Sequence, residues 1–113
     1  MSRRFFVALL GLGLAFFLTP RIGFAAAEDH VAEAISHTKE AIEHGEKGHA
    51  DELVKHATAA LSHAEAAEKV KANPHVEEGI KHLKEAIDHG KQGHADVGTT
   101  HAKAALEHLE QAK

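Results

Sequence analysis

Two rhythms of apolar residues divide the chain. From Phe5 to Leu18 every position is apolar or glycine. From Val31 onward, apolar residues return at spacings of three and four, the period of a helix with one buried face. Val31, Ala34, Ile35, Thr38, Ala41 and Ile42 make a first stripe, and Leu53, Val54, Ala57, Ala60, Leu61 and Ala64 a second. Gly45 stands where a helix-ending C′ glycine is expected, and Glu46-Lys47-Gly48 makes a tight connection. The pattern predicts a helical hairpin.

The hairpin then recurs. Residues 30–67 match residues 75–112 at 23 of 38 positions, at an offset of 45. Lys39-Glu40-Ala41-Ile42 returns as Lys84-Glu85-Ala86-Ile87, and Gly48-His49-Ala50-Asp51 as Gly93-His94-Ala95-Asp96. Asn73-Pro74 separates the copies, with Asn as a helix cap and Pro in the first turn of the third helix. Gly90 and Gly93 repeat the turn, while Gly98-Thr99-Thr100, poor helix formers, oppose a helical start to the fourth helix. The expected fold is all-α, an antiparallel four-helix bundle made of two duplicated hairpins. Two loosely associated hairpins are the alternative that an Ala-rich core leaves open.

The first apolar run has another reading. Arg3 and Arg4 precede it, and Pro20 leads to Ala25-Ala26-Ala27. This is the layout of a secretory signal peptide over residues 1–27, cleaved after Ala27, ahead of a histidine-rich domain at 28–113. The run is short for a membrane span, and no stop-transfer pattern follows. Ser2-Arg3-Arg4-Phe5-Phe6 and Arg21 admit the twin-arginine route as an alternative to the general one. The expected location is the periplasm.

Removing that segment changes the composition. All five Phe and the single Met lie within it, so the remainder has no aromatic residue, Met or Cys. Disulfides and sulfur metal ligands are excluded. Without Arg3, Arg4 and Arg21, the 13 basic residues fall to 10 Lys against 17 Asp and Glu, a net charge of −7 with His neutral. That charge disfavours nucleic acid as a partner. Small domains with so few bulky residues often need a metal, a disulfide or oligomerisation, and without cysteine only metal and oligomerisation remain.

Histidine carries the candidate chemistry. The 12 His stand at His30, His37, His44, His49, His56 and His63, and again at His75, His82, His89, His94, His101 and His108. Within each helix they recur every seven residues, on one face. With Val31 and Ala50 as heptad position a, every His falls at g, beside the apolar seam. A rise of about 1.5 Å per residue places successive His of one helix roughly 10.5 Å apart, too far to share an ion. Folding the hairpin antiparallel pairs them across the seam. The expected rungs are 44 with 49, 37 with 56 and 30 with 63, then 89 with 94, 82 with 101 and 75 with 108. Each rung brings two imidazoles together, for up to about six ions at one per rung.

Carboxylates extend this ridge. Glu33 lies between His30 and His37, Glu40 between His37 and His44, and Glu52 between His49 and His56. Glu78 lies between His75 and His82, and Glu85 between His82 and His89. Spacings of three and four make such residues neighbours on one helix, as ligands or as acceptors that orient an imidazole. Imidazole with carboxylate suits Cu(II) foremost, then Ni(II), Zn(II) and Co(II), with Fe(III) a further candidate. Two or three such ligands favour buffering, storage or detoxification over a structural ion.

The Glu-Ala-Ile-x-His-Gly and Gly-His-Ala-Asp blocks, each present twice, resemble the small metal-binding proteins of nitrifying bacteria. The resemblance spans residues 28–113. It implies a periplasmic, monomeric helical bundle that takes up several divalent metals, with copper handling as its role.

An enzyme is not expected. His-Glu-x-x-His is absent, as is any thiol, and no helix carries the Glu-x-x-His of di-iron bundles. The rival reading is a pH-responsive helical interaction protein or periplasmic chaperone. Protonation of all 12 His would carry the charge from −7 to +5. Charge alone gives no reason for the mirrored pairing.

Overall fold

The computed structural model describes residues 24–113, which form four helices. They are α1 (Phe24–Glu46), α2 (Ala50–Val70), α3 (Pro74–Lys91) and α4 (Ala95–Gln111). α1 packs on α2, α3 on α4, α2 on α3 and α1 on α4, the neighbour relations of an up-down-up-down bundle. The hairpins are thus joined in one core. Most of the expected signal segment lies outside the described residues, while Phe24–Ala27 form the first turn of α1 with Ala27 buried. Among the described residues no helix is long and apolar enough to cross a membrane.

The heptad phase read from the sequence is the phase of burial. Val31, Ala34, Thr38 and Ala41 of α1 are buried, as are Leu53, Ala57, Ala60, Ala64 and Ala67 of α2. Most of these side chains are alanine, which draws helix axes together, because interaxial distance follows the size of the side chains between them. Close axes bring the g positions of facing helices into reach.

The two copies are not symmetric inside. Leu53 is fully buried, and its counterpart one repeat later is Gly98, which it touches. A Cβ on Gly98 would stand 3.3 Å from both Leu53 methyls and 3.2 Å from the Ala86 carbonyl oxygen. Leu109 likewise lies over Gly79, in whose place the first copy has Ala34. At the 53/98 position, where the two copies face each other, both residues cannot be large, so Leu53 is met by Gly98; Leu109 and Gly79 make the same large-to-small fit within the second copy. This explains why Gly98 sits inside α4. The expected opposition to a helical start is overridden by that packing, and Thr99 and Thr100 donate their hydroxyls to the Ala95 and Asp96 carbonyls at 2.7 and 3.2 Å.

The turns correct the sequence reading in one respect. Gly45 and Gly90 are not the terminating residues; both are buried within their helices against Leu53. The left-handed residues are Gly48 (φ 80°) and Gly93 (φ 84°). The His49 amide reaches the His44 carbonyl at 2.9 Å and the Gly48 amide the Gly45 carbonyl at 3.0 Å. His94 to His89 (2.9 Å) and Gly93 to Gly90 (3.0 Å) repeat the pattern. Both turns are Schellman closures. Asn73 acts as expected: its side chain accepts from the His75 amide at 2.8 Å, with Pro74 opening α3.

Candidate metal centre

Each hairpin sets its histidines into a groove between its two helices. All are half-buried except His49 and His94, which are exposed beside the turns. The expected cross-hairpin pairs form. Ring centroids are 5.3 Å apart for His30–His63, 6.3 Å for His37–His56 and 6.1 Å for His44–His49. In the second hairpin they are 6.1 Å for His75–His108, 5.8 Å for His82–His101 and 6.1 Å for His89–His94.

The rungs are not isolated, however, and this corrects the expectation. The expected pairing puts His37 and His63 in different rungs, yet the two rings stack at 5.6 Å and 9°, closer than His37 to its rung partner His56. His44 stacks on His56 at 5.0 Å, His82 on His108 at 5.5 Å and His89 on His101 at 5.4 Å. The antiparallel helices are staggered, so each inner ring falls between two rings of the opposite helix. The result is a zigzag in the order 30, 63, 37, 56, 44, 49, and another in the order 75, 108, 82, 101, 89, 94.

The carboxylates also reach further than spacing along one helix suggested. Glu40 does not join His37 to His44. Its Oε1 stands 3.4 Å from His37 Nδ1 and 3.2 Å from His56 Nδ1 on the facing helix. Glu85 Oε1 stands 3.8 Å from His82 Nδ1 and 3.1 Å from His101 Nδ1, in place of the expected His82–His89 bridge. Glu33 groups with His37 and His63, Glu52 with His44 and His56, and Glu78 with His82 and His108. All five predicted carboxylates therefore close a triad across a hairpin, where spacing along one helix had placed them between two His of the same helix.

Five such triads have one ligand atom per residue within 4.8 Å of the others: Glu33/His37/His63, His37/Glu40/His56, His44/Glu52/His56, Glu78/His82/His108 and His82/Glu85/His101. Two nitrogens bound to one tetrahedral ion at about 2.0 Å stand roughly 3.3 Å apart. His30 Nδ1 and His63 Nδ1, 3.1 Å apart, are already at that separation. Metal binding would require the ligand atoms of each triad, which lie within 4.8 Å of one another, to draw in towards it. His30, His49, His75, His89 and His94 enter pairs but no triad.

Two observations show what the arrangement can do chemically. Nδ1 of His37, His44, His82, His89 and His108 is buried without a hydrogen-bond partner, His37 Nδ1 and Glu40 being near but not aligned for one. A buried polar atom left unpaired costs about 1–3 kcal/mol, and the lone pair of a neutral imidazole is what a metal ion accepts. Glu78 titrates below the ordinary carboxylate value of 4.5, chiefly through its hydrogen bond to Lys81, so it stays ionised further into acid than an ordinary carboxylate.

The triads share rings. His37 and His56 each serve two groups in the first hairpin, and His82 serves two in the second. The first hairpin can fill two triads at once, through Glu33/His37/His63 and His44/Glu52/His56. The second can fill one. The difference lies at one position, where Glu52 of the first copy is replaced by Val97, exposed on α4.

The model of one protein family matches residues 6–112, that of the small metal-binding protein. Among curated proteins, none matches the chain.

Proposed function

This chain belongs to the small metal-binding protein family, and on that premise we propose that it is exported to the periplasm, is processed after Ala27 and holds several divalent transition-metal ions along its two histidine zigzags. Cu(II) is the foremost ion, with Ni(II), Zn(II) and Co(II) as weaker occupants, and the role is buffering, storage or detoxification. Binding is the whole function; no chemical step is involved.

The observation that carries this reading is the unbroken row of ring contacts in each groove, with carboxylates closing triads along it. Solvated surface histidines have no reason to stack across a hairpin and leave ring nitrogens buried and unpaired. The absence of sulfur in residues 28–113 favours Cu(II) over Cu(I), and nitrogen with oxygen donors places Cu(II) above Zn(II), Ni(II) and Co(II) in affinity. Export is supported by the charged start, apolar run and Ala25-Ala26-Ala27 of the first residues.

Native mass spectrometry and calorimetric titration with Cu(II), Zn(II) and Ni(II) test the reading. More than two Cu(II) ions per chain are expected, with one for each of the six rungs as the ceiling. Affinity should fall as pH drops through about 6.5, where imidazole protonates. One ion or none at saturation, or binding undiminished well below that pH, would overturn it.

A further inference from the structure

Processing after Ala27 does more than release the domain. It makes Glu28 the first residue and His30 the third. An α-amine, two backbone amides and a third-residue imidazole can together wrap a metal ion in one plane, because the short chain between them forms fused small chelate rings. We propose that the processed protein carries, besides its zigzags, a square-planar Cu(II) or Ni(II) site at its own amino terminus. The ligands are the α-amine of Glu28, the amide nitrogens of Asp29 and His30, and Nδ1 of His30. The proposal rests on the processing put forward above. Four nitrogens in a plane are the donor set that selects Cu(II) and Ni(II).

The structure shows why these amides are available. In α1, which runs from Phe24, the amides of Asp29 and His30 lie one turn beyond the carbonyls of Ala25 and Ala26, their helical acceptors. Cleavage after Ala27 removes both acceptors and leaves those N–H groups among the open donors of a new helix end. Glu28 and Asp29 are exposed and His30 is half-buried, whereas the core begins at Val31, which is 6% exposed. Opening residues 28–30 to form the chelate therefore strips almost nothing from the core. There is also room: Glu28 lines a cavity of about 340 Å³ at the open end of the bundle, beside Lys71, Asn73 and Lys113.

The second copy serves as an internal control. Its corresponding segment is Asn73-Pro74-His75, inside the chain, where Pro74 has no amide hydrogen to give up and the His75 amide is held by Asn73. The duplication thus creates one terminal chelate. Binding releases the ammonium proton of Glu28 and the two amide protons to solvent, and the ion stays divalent. The site takes His30 away from His63, whose Nδ1 stands 3.1 Å from that of His30, so the end of the first zigzag has two competing uses.

Ni(II) separates the two kinds of site. In a four-nitrogen plane with amide ligands it is low-spin and diamagnetic, whereas with imidazole, carboxylate and water it is high-spin. The experiment uses protein exported and processed by the cell, its first residue fixed by intact mass and terminal sequencing, loaded with one equivalent of Ni(II). Processed protein should show the diamagnetic species and its visible absorption band. Acetylation of the amino terminus should abolish the band while leaving the twelve histidines in place. His63→Ala should keep it, and His30→Ala should lose it. A protein that begins at Glu28 but binds Ni(II) only in the high-spin form, unaltered by acetylation, would overturn the site and leave the processing intact. A first residue other than Glu28 would overturn both.

Discussion

Val97→Glu should give the second hairpin the carboxylate it lacks. Position 97 corresponds to Glu52, which closes a triad with His44 and His56; the counterparts of those histidines are His89 and His101, stacked at 5.4 Å. The new triad would share no ring with Glu78/His82/His108, so both could fill at once. The substitution costs little. Val97 is 37% exposed, so about two-thirds of a valine's burial, at most about 1–2 kcal/mol, is given up. A carboxylate in the first turn of α4 returns about 0.3–1 kcal/mol through the helix dipole, and Glu is a better helix former than Val. The net change in stability should stay within about 1 kcal/mol. The metal-side gain is larger, because even a partner outside the ligand set shifts affinity roughly 10–100-fold, which is about 1.4–2.7 kcal/mol. The clean background is His37→Ala with His56→Ala, since every triad of the first hairpin contains one of these residues. In that background, Zn(II) competed against a chromophoric chelator should fill one tight site, and adding Val97→Glu should raise the number to two. If the tight class stays at one while the helical signal is intact, the triads are not what holds the ions.

Three further results are expected. His37→Ala with His63→Ala should lose less Cu(II) affinity than the two single losses together, because the rings stack at 5.6 Å and share a triad; additive losses in calorimetry would restore isolated rungs. Leu53→Ala should cost about 2.7–5 kcal/mol in chemical denaturation, since that side chain is fully buried against Gly45, Gly90 and Gly98, and a cost under about 1 kcal/mol would show that the packing around it is loose. Lys81→Ala should raise the Glu78 carboxyl titration towards 4.5, read by carbon NMR, because the Lys81 hydrogen bond and charge are the main causes of its depression. A depressed carboxylate stabilises the fold above its unfolded value and loses that contribution as pH falls through its folded one, so the wild-type and variant stability curves should converge in acid.

How far the sequence carried the structure depended on which distances it could express. The a and d positions of Val31, Ala34, Leu53 and Ala57 follow from spacing alone, and so do the facing pairs His37–His56 and His82–His101, because antiparallel pairing across a turn is arithmetic. The stagger between facing helices is not in the arithmetic. It is what sets His63 over His37 and brings Glu40, still beside His37 on its own helix, against His56. The glycines misled for a related reason. Gly45 and Gly48 are equally good terminators by sequence, and the choice falls to Gly48 because Gly45 is needed flat against Leu53. The weight of Val97 was legible only once Glu52 had been placed between His44 and His56.

The sharing of His37, His56 and His82 between adjoining triads gives uptake a particular character. Seats that overlap cannot all be taken, so an ion settling at Glu40 would deny a ring to both seats beside it, and each later arrival would press earlier ones into the other register. Filling would then be graded, the last ions held more loosely than the first, and the free concentration at which the protein gives metal up would be spread over a range without a sharp threshold. The same overlap would let an ion move along the groove by exchanging one ring at a time. An ion entering beside the exposed His49 would meet His44, His56, His37 and His63 in turn.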